Sequence, residues 1–129
     1  MKLIENAGMN DPIFFDTYAF IEIIRGNPNY KRFEDIPIIT TVFNIAELSY
    51  ILKKEMSKEK ADNYAEEYIA FMVEITFEDV KNATDFKIKH HDLSLPDAIG
   101  YTVAKRYGVK FLTGDEDFKD MPNVEFIKK

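Results

Sequence analysis

The chain contains no cysteine, which removes disulfides, thiolate metal sites and cysteine nucleophiles together. That lack suits a reducing cytoplasm, the expected location. No segment approaches the roughly 20 apolar residues needed to span a membrane. The first twelve residues carry Lys2, Glu5 and Asp11 in place of the apolar core of a signal peptide. Excess positive charge is lacking too: the formal net charge is −6, which argues against binding nucleic acid through a broad basic surface. It leaves room for an enzyme that gathers carboxylates around metal ions, because those ions then supply the positive charge facing a phosphate.

What is present suits a single packed domain. Hydrophobic residues make up 46% of the 129, with eleven Phe and seven Tyr, and charged residues 31%, enough for one core and a solvated surface. There is no internal repeat, low-complexity stretch or linker. Residues 1–12 form an extension before the first strand, and residues 13–129 the domain.

Ile13-Phe14-Phe15 reads as a short buried strand ending at Asp16. Thr17 to Arg25 has helical spacing and stops at Gly26-Asn27-Pro28. Ile36 to Thr40 is a second strand, with Pro37 near its start where a missing donor is tolerated. Helices follow over Val42–Glu55 and Ser57–Phe71, then a third strand over Met72–Thr76 and a helix from Phe77 to about Lys89. Ser94 opens a further helix to Tyr107, closed by Gly108. Val109–Thr113 is the fourth strand and Val124–Ile127 a short fifth. Strands alternating with helices imply right-handed crossovers, hence an α/β fold with a mostly parallel sheet of four to five strands covered on both faces.

Acidic residues number 23, so single ones mean little and position means more. Asp16 follows the first strand, Asp115 lies two residues beyond the fourth, Asp97 occupies the first turn of the helix before it, and Glu47 sits in the helix after strand two. Ligands of open parallel sheets bind beyond the carboxyl ends of the strands. If strands one and four are neighbours, Asp16 and Asp115 meet there and Asp97 leans over them. Carboxylates without His or Cys select Mg²⁺ or Mn²⁺, ions that activate water and neutralise phosphate charge. Each Asp also has a plain structural role open to it: Asp16 as a helix N-cap, Asp97 in a capping box with Ser94, Asp115 as a turn residue. Glu47 lies among Val42, Phe43, Ile45, Leu48, Ile51 and Leu52 on the wheel, which predicts a buried carboxylate that needs a cation. Asn44, one turn earlier, can orient it. Thr17 and Thr113 can donate to the acids, or be a cap and a strand end.

These residues carry a resemblance. Phe14-Phe15-Asp16-Thr17 looks like the opening of a PIN domain, and Thr41 to Leu48 like the family's helix with its Glu-Leu pair. Leu93 to Ile99, followed by Ala104, resembles the third motif, and Thr113-Gly114-Asp115-Glu116-Asp117-Phe118 the fourth. The likeness spans residues 13 to 127 with all four acids in order. It implies a three-layer α/β/α fold with strand order 3-2-1-4-5, hydrolysis of RNA with Mg²⁺ or Mn²⁺, and a homodimer. At this size the chain further resembles VapC-type toxins, which a small antitoxin neutralises. On that reading Asp16, Asp97 and Asp115 hold the metal, Glu47 acts through the ion or the water it activates, and Asp117 supports them. Two departures are the N-terminal twelve residues and Asn44, which stands where Thr is common.

The same residues leave other readings open. A phosphoacceptor receiver domain has similar length and acids, but needs an acidic pair at strand one and a Lys after strand five. A PIN nuclease of RNA processing and a non-cleaving PIN scaffold are further alternatives. His90-His91 make a poor metal pair; with Lys81, Lys87 and Lys89 they form a solvated basic face able to guide RNA.

Overall fold

The structure, a computed structural model, describes residues 11–128. Most of the expected N-terminal extension, residues 1–10, and the final residue 129 lie outside the described residues. Four parallel strands, β1 (Ile13–Phe15), β2 (Ile38–Ile39), β3 (Lys110–Thr113) and β4 (Val124–Phe126), form one sheet in the order β2-β1-β3-β4. Side chains alternate across a strand, and the apolar runs use both sides. Ile13, Phe15, Ile38 and Leu112 enter one core cluster, while Phe14, Ile39 and Phe111 enter the other.

Helices α1 (Thr17–Ile24), α2 (Val42–Glu55) and α3 (Lys58–Tyr68) supply the first cluster; α4 (Phe77–Lys89) and α5 (Leu95–Arg106) pack on the second. The result is the expected three-layer α/β/α arrangement. All five helices start on the same local device. Asp16, Thr41, Ser57, Thr76 and Ser94 each accept a hydrogen bond from the N–H three residues on, a cap contributing about 1 kcal/mol. Gly108, at φ +68°, ends α5 as anticipated. Gly100 is needed for approach: a Cβ there would stand 3.2 Å from the Phe14 ring and 3.3 Å from Phe111, so its absence lets α5 settle on the sheet.

Three expectations need correction. Met72–Thr76 is not a strand but a single parallel bridge, Thr40 to Met72. Val73 N–H donates to Thr40 at 2.9 Å, after which Val73 and Ile75 turn to pack on the second core cluster and Thr76 caps α4. The bridge adjoins the end of β2 without forming a strand, so the sheet has four strands in the order β2-β1-β3-β4 where five in the order 3-2-1-4-5 were expected. The helix expected over Ser57–Phe71 changes to a 3₁₀ turn at Ile69–Phe71. Finally, α2 is less buried than its composition suggested. Val42 is 53% and Phe43 43% exposed, because no described element covers that side of the helix start.

Chain direction determines which ends meet. α1 and α2 follow β1 and β2, so their N-termini lie at the carboxyl edge of the sheet. α5 precedes β3 and runs against it, so its N-terminus lies there too. No described helix is long and apolar enough to cross a membrane.

Candidate active site at the carboxyl edge of the sheet

Asp16 is buried at the junction of β1 and α1. Its Oδ1 accepts from Ala19 N–H at 2.9 Å as the cap, and Oδ2 accepts from the hydroxyl of Thr113 at the end of β3. Thr113 in turn accepts from Asp115 N–H at 3.1 Å. One strand-end threonine therefore ties Asp16 to the turn bearing Asp115. Asp115 caps the 3₁₀ turn Glu116–Phe118 through Asp117 N–H at 2.9 Å.

Across the edge, the hydroxyl of Thr17 donates to Glu47 Oε1 at 2.5 Å. Asn44 does not touch Glu47 directly. Its amide donates to Thr17 at 3.4 Å, and Thr41 donates to its carbonyl oxygen at 2.7 Å, so Asn44 reaches the acid through Thr17. Glu47 itself is half-buried. The fully buried setting read from the helical wheel does not form, since Val42 and Phe43 face solvent. Asp97 forms the capping box with Ser94, its Oδ2 accepting from Ser94 N–H at 3.3 Å. Asp117 meets Asp115 through its backbone; its own side chain is exposed.

The capping roles and the acidic cluster therefore coexist. Each cap engages one carboxylate oxygen, and among the described residues the second oxygens of Asp97, Asp115 and Glu47 accept no hydrogen bond. Electrostatics shows that the acids converge. Burial pushes the Asp16 carboxyl up to about 7 against the hydrogen bonds from Thr113 and Ala19, with Asp97 and Asp115 adding repulsion. Asp97 is likewise raised, by burial first and then by Asp115 and Glu47 against its Ser94 bonds. Tyr18, in the first turn of α1, has its phenol raised by burial and then by Glu47, Asp115, Asp16 and Asp97 together. A single side chain beside the site feels all four acids.

Among the described residues none of these four acids has an ion-pair partner. Nor do three acidic or histidine side chains stand close enough there to form a ready metal cage. The site is open, oxygen-only and short of positive charge, a donor set that fits a hard divalent ion.

The comparisons with known proteins agree with this architecture. Residues 13–124 match the family model of the PIN domain. The chain belongs to the PIN-domain family. That membership sets aside the receiver-domain reading. No curated relative matches this PIN domain in sequence. Among solved structures, it is similar to a chain of a toxin–antitoxin complex from Klebsiella pneumoniae, with a TM-score of 0.73 and 20% identity over 91% of this chain and 99% of that one. VapC20 of Mycobacterium tuberculosis, described as a sarcin-ricin-loop-cleaving toxin, gives 0.73 and 20% over the same shares. VapBC2 of Rickettsia felis, bound to a promoter DNA fragment, gives 0.70 and 14% over 91% and 98%. At these identities the likeness establishes a shared fold.

Proposed function

We infer that this PIN domain is a Mg²⁺- or Mn²⁺-dependent endoribonuclease and the toxin of a toxin–antitoxin pair. The observation that carries the reading is the convergence of Asp16, Glu47, Asp97 and Asp115 on one edge with no ion-pair partner among the described residues. Asp16, Asp97 and Asp115 would hold the metal. When bound, the ion supplies an activated water and neutralises charge on the phosphate. The chain's own residues do the rest. Thr113 orients Asp16 and the Asp115 turn, and Thr17 holds one oxygen of Glu47, leaving Oε2 to accept the proton of the attacking water. That water would add to phosphorus as the bridging P–O bond breaks, and the leaving oxygen would take up a proton from solvent.

The reading includes two protein partners, a second copy of the chain and a small antitoxin, and a cytoplasmic setting. Exposed apolar surface supports the partners: Val42, Phe43 and Val80 line one open groove beside the half-buried Val73 and Ile75.

Two measurements test the proposal. Cleavage of RNA by purified protein should cease in EDTA and return with Mg²⁺ or Mn²⁺, and each ion should raise the melting temperature without any RNA present. Saturating metal at about 100 times its Kd stabilises by about 2.7 kcal/mol. Undiminished cleavage after chelation, or no thermal response to either ion, overturns the metal assignment. Expression of the intact chain should slow growth and Asp16→Asn should relieve it; equal growth at matched levels leaves a PIN nuclease that is not a toxin.

A further inference from the structure

The aromatic rings that reach solvent differ in what covers them. Tyr50, Phe77 and Tyr107 are exposed, and each lies under a neighbouring cation. Lys54 Nζ stands 4.7 Å from the Tyr50 centroid, Lys81 Nζ 5.5 Å from that of Phe77 and the Arg106 guanidinium 4.8 Å from that of Tyr107. Phe43 is exposed as well. Among the described residues it has no cation over its ring and no ring partner, and it belongs to neither core cluster. Core packing does not account for a phenylalanine at this position.

Its place is the carboxyl edge of the sheet. Phe43 is the second residue of α2, and Glu47 follows four residues later. Residues four apart are neighbours on one helix face, with Cβ atoms about 5–6 Å apart, and helical side chains tilt toward the N-terminus. Glu47 therefore leans toward Phe43, while Thr17 holds its Oε1. Thr41 caps the same turn, accepting from Asn44 N–H at 3.4 Å, so the ring stands on a fixed backbone. The groove beside it, which Val42 and Val80 also line, has one acid, Glu74, and no cation among its described lining residues. Such a surface suits the uncharged face of a base and not a phosphate.

We propose that Phe43 stacks a base of the RNA strand whose phosphate lies at the acids. The inference rests on the nuclease reading and deepens it by naming a substrate-binding residue. Phe43 stands one helical turn, about 5.4 Å along the axis, from Glu47, so a strand that reaches the acids brings its bases past this ring. Stacking requires only a π-face, and it holds a strand without selecting its sequence. It also supplies affinity that does not depend on charge, which suits a chain of net charge −6 whose site is itself acidic. A protein partner could fill the same groove through apolar contact; continuity with Glu47 favours RNA, and the test separates the two.

Phe43→Ala should weaken binding of a single-stranded RNA, read by fluorescence anisotropy in EDTA, and raise KM in Mg²⁺. Each change should be about tenfold, the scale of one base–aromatic stack, with kcat little changed. The slope of log Kd against log salt should stay at the wild-type value, since no phosphate contact is lost. Phe43→Trp should restore both constants. Phe43→Leu, which keeps an apolar contact for a protein but no aromatic face, should not. Tyr107→Ala removes an exposed ring at the opposite, amino edge and should change neither constant. Thermal melts verify that each variant is folded. Unchanged Kd and KM in Phe43→Ala, or full recovery in Phe43→Leu, overturns this inference alone. Weakened self-association of Phe43→Ala with unchanged RNA binding also overturns it and assigns the ring to a second copy. Absence of metal-dependent cleavage by the wild type overturns the nuclease reading beneath it.

Discussion

Helices α4 and α5 start with the same motif and put it to opposite electrostatic use. Each opens on a capping box, Thr76 with Asp79 in one and Ser94 with Asp97 in the other. At α4 the acid is 1% exposed and meets Arg106, whose Nε and Nη2 reach its two oxygens at 2.8 Å each. Burial alone would raise that carboxyl, but the bonds from Arg106 and Thr76 outweigh it and hold it below the ordinary range. At α5 the acid meets no cation among the described residues; burial, Asp115 and Glu47 push it up. A capping carboxylate with a guanidinium beside it is a structural clamp. The same carboxylate beside other carboxylates is, on the proposed function, a binding group whose counter-charge a metal ion would supply. The capping motif does not decide between the two roles; its tertiary neighbours do.

The sharpest way to break this comparison is activity. Asp97→Asn should lower Mg²⁺-supported RNA cleavage about 1000-fold, removing several kcal/mol of transition-state stabilisation. Asp79→Asn should leave the rate of the folded enzyme within a few-fold. Comparable losses in both would erase the distinction.

Next comes the pH dependence of the acidic side. Burial pushes the Asp16 carboxyl up to about 7 in the folded protein, against 3.8 for a free aspartate. A carboxyl raised on folding favours the folded state while protonated, so its benefit is complete below about pH 4 and lost as pH rises through 7. Asp16→Asn, which keeps a side-chain acceptor for the cap, should therefore stabilise metal-free protein above pH 7 by up to about 4 kcal/mol. The gain should vanish toward pH 4. Denaturant melts of both proteins in EDTA across that window supply the check, and a gain independent of pH contradicts it.

The clamp should behave with the opposite sign. Arg106→Met leaves Asp79 buried without its partner and should cost about 2–3 kcal/mol at pH 7, below the range for fully buried pairs because Arg106 is partly exposed. A carboxyl lowered on folding contributes stability that is lost as pH falls through its folded value, so the deficit should narrow in strong acid. Urea titrations at pH 7 and pH 3 read this out. The smallest effect is expected for the stability of Asp97→Asn in EDTA: relief of repulsion against a weakened box, a net gain under about 1 kcal/mol. A loss larger than that makes Asp97 chiefly a cap.

Much was legible because it is local. The bounds of α2, the caps at Asp16, Ser57 and Ser94, the stop at Gly108 and the acids beyond strand ends are written within a few residues of where they act. Errors fell where a contact had to come from afar. Met72–Thr76 has strand-like composition, but pairing is a property of two segments, and only Thr40 and Met72 meet. The helical wheel placed Glu47 among apolar residues without knowing that Val42 and Phe43 would lie uncovered. The pair between Asp79 and Arg106 joins residues 27 apart in sequence and left no local trace. Tyr18 gave no sign of its closeness to four acids contributed by two helices, a strand–helix junction and a turn.

By itself, then, the amino-acid order determined the elements, their caps and the α/β alternation that gathers N-termini and strand ends at one edge. Those choices depend on hydrogen bonds and side-chain periodicity over three or four residues. The fold decided which capped acids acquire a cation and which face one another. Burial and charge pairing depend on distances through space, and only the packed chain brings Thr113 onto Asp16, Thr17 onto Glu47 and Arg106 onto Asp79.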